Sequence, residues 1–218
     1  MNEFLNVEFH CHSMYSDDSF SRLEDMIFEA KKKGVDRLII TDHHTIEGAQ
    51  IAEKMAPDVV IVGEEIQTDK GELLAAYVKV NVPDGTPYRK AIEMLREQDA
   101  FISVSHPFDV KRSGWTTTEL VELAGLVDAF EVFNARVYHP SENMNALAFA
   151  QEHNKPGTVG SDAHMVREIG VATLKLPYFS NGSELRKVIN AGEPLVKLSP
   201  TWVHYYSGFA QTFKKLVR

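Results

Sequence analysis

A chain of 218 residues, 44% hydrophobic and 25% charged, has an ordinary globular composition and can bury about 70% of its unfolded surface, so it needs no disulfide or metal merely to fold. Its net charge of -8 argues against broad electrostatic binding of nucleic acid or anionic membrane. No apolar run reaches the roughly 18 residues of a membrane span, the start MNEFLNVEF lacks a secretory pattern, and one cysteine makes no internal disulfide, so a cytoplasmic location is expected.

Short runs rich in Val, Ile and Phe alternate with amphipathic stretches, the rhythm of βα units. A strand over residues 5–10 precedes a helix opened by Ser21 and Glu24 as a capping box and closed by Gly34 after Lys31, Lys32 and Lys33, cations where the dipole favours them. A strand at 37–41 and a helix at 45–55 follow. The runs 59–65 and 73–78 flank IQTDKG, whose Asp-Lys-Gly is turn chemistry, so an antiparallel hairpin is expected with Glu65 and Glu72 on one rim. Thr86 and Pro87 open another helix. Strands at 101–105, 129–133, 158–161 and 171–176 alternate with helices at 118–124, 141–153 and 183–190. The aromatic and basic tail, residues 202–218, reads as an amphipathic helix docked on the domain. Strands that are apolar throughout require a sheet covered on both faces. The expectation is one α/β domain over residues 1–218, with a barrel core at about 5–176 and a tail of helix and strand at 177–218.

Metal-ligand chemistry gathers at the ends of these runs: His10 and His12, then Asp42, His43 and His44, then Glu64 and Glu65, His106, Asn134 and Arg136, and finally Asp162 and His164. In a parallel barrel such ends converge on one face. A lone histidine at a strand end is commonly a hydrogen-bonded rim residue, and His44, His139, His153 and His204 are read so. Asp18 and Asp42 have an alternative as helix N-caps, and Glu64 as a solvated side chain. The recurrence of one ligand type at one end of five or six strands sets the others apart. In an extended segment residues two apart share a side, so His10 and His12 face together and Cys11 packs behind the sheet.

HCHSMYSDD, TDHH, GEEIQT, SHPF and GSDAH, in this order, resemble the successive motifs of the polymerase and histidinol phosphatase (PHP) superfamily of metal-dependent phosphoesterases, over about residues 7–171. The resemblance implies a distorted (β/α)7, TIM-like barrel with two to three divalent ions, zinc, manganese or iron. It places His10, His12, Glu65 and Asp162 on a first metal, lets Glu65 bridge to a second completed by His106 and Glu72, and gives Asp17, His43 and His164 a third. Where many relatives with this hairpin have histidine, this chain has Glu72, a harder donor that favours manganese or iron; its other reading is an exposed hairpin residue.

The implied reaction is hydrolysis of a small phosphomonoester, such as a nucleotide, by a hydroxide bridging two metals. Asp162 and Glu65 are its central residues, and Arg136 either clamps the phosphate or makes a surface salt bridge. Lys111 or Arg112 would touch substrate. Nucleic acid is an admissible but disfavoured partner, no membrane partner is expected, and the sequence is silent on oligomeric state. Two other readings stand beside this one: an amidohydrolase-type metal hydrolase, which also uses H-x-H and a late Asp, and a PHP domain that binds metal without turnover.

Overall fold

The computed structural model describes residues 3–112 and 114–217; Met1, Asn2, Ser113 and Arg218, the end of the expected tail helix, lie outside them. The elements run β1 (Phe4–Cys11), α1 (Leu23–Lys32), β2 (Arg37–Ile40), α2 (Glu47–Met55), β3 (Val60–Gln67), β4 (Glu72–Ala76), α3 (Tyr88–Glu97), β5 (Phe101–Val104) and α4 (Thr117–Ala124). They continue with β6 (Ala129–Asn134), α5 (Pro140–Glu152), β7 (Gly157–Gly160), β8 (Ala172–Pro177), α6 (Gly182–Val188), β9 (Glu193–Val196) and α7 (Val203–Val217). The strands form one sheet in the order β7-β6-β5-β4-β3-β2-β1-β8-β9.

β1 decides how the sheet curls. Its first half pairs antiparallel with β8, Phe4 opposite Pro177 and Val7 opposite Leu174. Its last residue bridges in parallel to Ala163, just beyond β7, and the amide of His12 donates to the Ala163 carbonyl at 2.8 Å. The sheet is thus a nearly closed seven-stranded barrel, joined at the rim where β1 ends. β4 alone among the seven runs against its neighbours, pairing antiparallel with both β3 and β5. The Thr68–Gly71 turn makes this hairpin, with Gln67 opposite Glu72.

Strand alternation sorts two apolar layers. Leu38, Ile40, Val60, Val62 and Ile102 pack against the helices. Ile39, Ile61, Phe9, Phe101 and Val159 form a second cluster with Phe179, Leu185 and Ile189, which plugs the barrel below the rim. Cys11 belongs to the first layer, its Sγ donating to the Ile39 carbonyl at 3.3 Å. Two register irregularities occur, between Glu8 and Cys11 in β1 and between Glu131 and Phe133 in β6. Such kinks re-aim side chains beside functional sites.

Three local expectations change. α1 has no side-chain cap, because its N-cap position falls on Arg22 and Ser21, one residue earlier, donates its hydroxyl to the His164 carbonyl. Pro87 stands at the N-cap of α3 rather than inside it. Glu64 is not solvated: it is fully buried, accepts from the Val82 amide at 3.1 Å, and burial pushes its carboxyl up to about 8. No helix among the described residues is long and apolar enough to cross a membrane.

Phe101, 1% exposed in the plug, has no room to collapse around a truncation, so Phe101→Ala should cost about 3–5 kcal/mol of stability in urea unfolding. A loss below about 1 kcal/mol would contradict this packing.

Candidate metal centre

The rim gathers three groups of ligand atoms: His10, His12 and Asp162; Glu65, Glu72 and His106; and His12, Asp18, His43 and His164. Glu65, 2% exposed, lies among them all. Its Oε2 is 3.1 Å from His10 Nε2, 3.3 Å from His12 Nε2 and 3.4 Å from His43 Nδ1. Its Oε1 accepts from Ser105 Oγ at 2.6 Å and lies 3.3 Å from His106 Nε2, which is 3.2 Å from Glu72 Oε2. Asp162 Oδ1 is 3.4 Å from His12 Nε2 and 3.7 Å from His10 Nε2.

These separations fit ions at the centres of the groups, because donors bound at about 2.0–2.2 Å stand roughly 3.0–3.5 Å apart around one ion. Hydrogen bonding within the cluster points the same way. The Nε2 atoms of His10 and His12 face each other at 3.1 Å. His164 Nδ1 lies 2.8 Å from the Asp162 carbonyl, which can only accept, so Nδ1 carries the proton. When His164 is neutral its Nε2 then turns a bare lone pair on Asp18 Oδ2 at 2.8 Å. Asp18 Oδ1 is buried without a hydrogen-bond partner. A cation resolves each of these confrontations.

The outer partners are equally specific. Glu131 holds His10 Nδ1 at 2.9 Å through Oε1 and the His106 amide at 2.9 Å through Oε2. It orients His10 so that Nε2 points to the cluster, the usual support for a metal-ligating imidazole. Gly160 makes room for this pair: a Cβ there would stand 2.4 Å from His10 Cβ and 2.5 Å from Glu131 Oε1. Asp42 is neither ligand nor N-cap, its oxygens accepting from the Ser13 amide and hydroxyl at 2.5 and 2.6 Å. Asp162 and His106 occupy left-handed backbone, φ 52° and 22°, a strain non-glycine residues carry mainly at functional sites.

Charge and burial compete throughout. Burial lowers the basicity of His10, but Glu65, Glu131 and Asp162 outweigh it and hold the imidazole well above its ordinary value. Against the same burial, Glu65 and Asp18 bring His43 up to about 10, and Glu65 and Glu72 bring His106 up to about 9. His164 goes the other way, to about 4, through burial and the neighbouring Arg136 and His12 despite Asp18. Burial would raise Asp162 and Glu65, yet Arg112 and His10 hold the first, and His10 and His43 the second, well below the carboxylate range.

His10, His12, His43, Glu65, Glu72, His106, Asp162 and His164 are brought together by the fold. The carboxylate seen against His43 and His164 is that of Asp18, at 3.5 and 2.8 Å, where the resemblance implied the neighbouring Asp17. Arg136 is no surface salt bridge, and it is among the residues that line the cavity over the centre. It is 2% exposed, and its Nη2 donates to the Val203 carbonyl and Ser207 Oγ at 2.8 and 3.0 Å while Nη1 donates to the Asp162 carbonyl at 3.3 Å. Arg112 reaches the centre too, its guanidinium paired with Asp162 and with Asp109. The four other histidines stay outside the three groups: His44 pairs with Asp84, His139 caps α5, His153 donates to the Phe149 carbonyl, and His204 stacks on Tyr138 at 4.1 Å. Glu131 escaped notice because it interrupts an apolar run; a lone acid inside AFEVF was the available signal.

A cavity of about 430 Å³ opens over the centre, lined by metal-ligand candidates below and by Lys111, Arg112, Tyr138, His204 and Gln211 above. Among known proteins, the family model for the PHP domain matches residues 8–125 and the PHP-associated model matches residues 140–194. An uncharacterized protein of Methanocaldococcus jannaschii is 30% identical over 175 residues, 78% of this chain and 70% of that one. A probable phosphatase of Caldicellulosiruptor saccharolyticus is 26% identical over 76% of this chain and 70% of its own length. A two-domain Bacteroides vulgatus protein containing a predicted PHP-like metal-dependent phosphoesterase shares the fold at a TM-score of 0.69 and 19% identity, over 86% of this chain and 62% of that one.

Asp18→Asn should weaken divalent-metal binding by the stripped protein about 10- to 100-fold, and Asp17→Asn should leave it unchanged; equal effects in a metal titration would undo the assignment of Asp18. Acid–base linkage gives a second test. His43 and His106 are raised from about 6.5 to about 10 and about 9, so their stabilisation of the metal-free fold is complete below about pH 6.5 and disappears as pH rises through 9 to 10. The Tm of metal-free protein should therefore fall between pH 7 and 10, and a Tm that holds or rises would contradict the raised values.

Proposed function

The chain belongs to the PHP family, and from that premise we propose that it is a metal-dependent phosphoesterase that hydrolyses a small phosphomonoester such as a nucleotide. One observation carries the reading: Glu65 and Asp162, both buried, share a single cluster with five imidazoles whose free nitrogens converge on common points. Four buried or half-buried carboxylates, those of Asp18, Glu65, Glu72 and Asp162, are a donor set suited to two or three divalent ions. The ions, when bound, supply Lewis-acid activation and a nucleophile available at neutral pH.

The chain's own groups would do the rest. Asp162, His10 and His12 would hold the first ion, Glu65 would serve it and the Glu72–His106 group together, and Asp18, His43 and His164 would hold the third. Oxygen from Glu72 in place of imidazole favours manganese or iron there. Lys111 and Arg112 at the cavity wall offer positive charge to a phosphate dianion in a protein that is otherwise acidic. Arg136 contributes indirectly, by fixing the Asp162 backbone and the start of α7. A cavity of about 430 Å³ is of small-molecule size, which supports a monoester over a long nucleic-acid track.

The test is metal analysis of the purified protein followed by a panel of phosphomonoesters and a DNA strand, each with manganese, zinc or iron. Hydrolysis of a monoester, with Asp162→Ala folded but lowered at least about 10³-fold in turnover, is the expected result. Less than one bound ion per chain, or unchanged turnover in Asp162→Ala, would overturn the scheme. Stabilisation by metal without hydrolysis of any ester would favour a binding domain.

A further inference from the structure

α7 lies beyond both segments matched by the family models, yet it walls the cavity with His204, Ser207 and Gln211. Among its described residues Val203 and Ala210 are the fully buried side chains, Tyr206 and Phe213 pack edge-on against Phe20 of the loop between β1 and α1 at 6.2 and 5.9 Å, and Tyr205, Phe209 and Leu216 face outward. Polar ties add to this docking. At the start of the helix Arg136 holds the Val203 carbonyl and Ser207. Near its end, Lys214 Nζ donates to the carbonyls of Met14, Ser16 and Ser19 at 2.7, 2.6 and 2.6 Å.

Those three carbonyls belong to the loop between β1 and α1, and two of them bracket Asp18. The same loop carries the groups that set the neighbouring histidines: Ser16 Oγ accepts from the His43 amide at 2.8 Å and lies 3.2 Å from His12 Nδ1. Ser19 Oγ lies 2.9 Å from both the His12 and His164 carbonyls. An ammonium has three donors, and three carbonyls of one loop match it. Fixing residues 14, 16 and 19 fixes the backbone that aims Asp18 at His43 and His164.

We propose that Lys214 is a positioning residue for the Asp18–His43–His164 group, so that docking of the C-terminal helix and divalent-metal affinity at that group are coupled. The inference rests on the metal-binding reading above. Lys214 acts through the loop backbone, by its bonds to the Met14, Ser16 and Ser19 carbonyls. Glu72 and His106, at the start of β4 and just beyond β5, meet the Asp18 group through Glu65, whose Oε2 is 3.4 Å from His43 Nδ1 and 3.3 Å from His12 Nε2, so loss of the Lys214 tie should fall first on the Asp18 group.

The experiment is a calorimetric titration of chelator-stripped, full-length protein with manganese chloride and, separately, zinc chloride, comparing wild type with Lys214→Met, Lys214→Arg, Glu72→Gln and the Lys214→Met/Glu72→Gln double variant. Lys214→Met should weaken one class of site by about 10- to 100-fold, the range typical of lost support to a metal ligand. Glu72→Gln should weaken a different class, and the double variant both. Lys214→Arg, which retains cationic donors, should recover most of the loss; a merely structural role would not produce this site-selective pattern. Should Lys214→Met fail to fold, Lys214→Gln, with its shorter neutral donor, should give an intermediate loss at the same site. Wild-type affinities in folded Lys214→Met or Lys214→Gln would overturn the proposal while leaving the phosphoesterase reading intact. Absence of metal binding by the wild type would overturn that reading and this inference with it.

Discussion

The meeting of β1 with the residues just after β7 is the constraint on which the rest depends. A sheet whose edge strand is already half committed to β8 still closes, because β1 gives its first residues to that partner and its last to Ala163. The seam brings His10 and His12 against Asp162 and His164, residues some 150 positions away in the chain. Closing the barrel and assembling the first ligand group are one event. The kink between Glu8 and Cys11 and the bare Cα of Gly160 are what let the two edges approach closely enough.

That geometry compresses charge where water cannot screen it. Asp162, Glu65 and Glu131 lie within a few ångströms of one another's imidazole partners, each nearly or fully buried. Burial would raise Glu65 and Asp162, and the surrounding cations hold both well below the carboxylate range. Without ions the balance is kept by protons on the histidines, so metal and proton compete for the same nitrogens. His164, held neutral, is the one candidate ligand among these histidines that would need no proton removed.

Much of this was legible in the chain, for identifiable reasons. Strands buried on both faces announce themselves as unbroken apolar runs, and all eight assigned before residue 177 appear within a few positions. The Asp-Lys-Gly turn was enough to bring Glu72 to the rim beside Glu65, while its place beside His106 was implied only by the family resemblance. What could not be read were choices settled by distant partners. Ser21 forsakes its helix for the His164 carbonyl, and Arg136 for Val203 and Ser207 on α7. That Asp18 meets His43 and His164 depends on a loop conformation that lies beyond strand alternation. Glu131 carries no motif, since its work is to hold His10 from behind.

Cys11 sits between two imidazoles of the centre and takes no part in it. Its thiol is fully buried, bonded to the Ile39 carbonyl, and raised well above its usual range by burial and by Glu8 and Asp42. Oxidation begins from thiolate, and this sulfur is withheld from that form and from solvent alike. The chain's single cysteine therefore stays chemically silent one residue from the candidate metal centre, and peroxide or alkylating agents have no thiol handle by which to disable it.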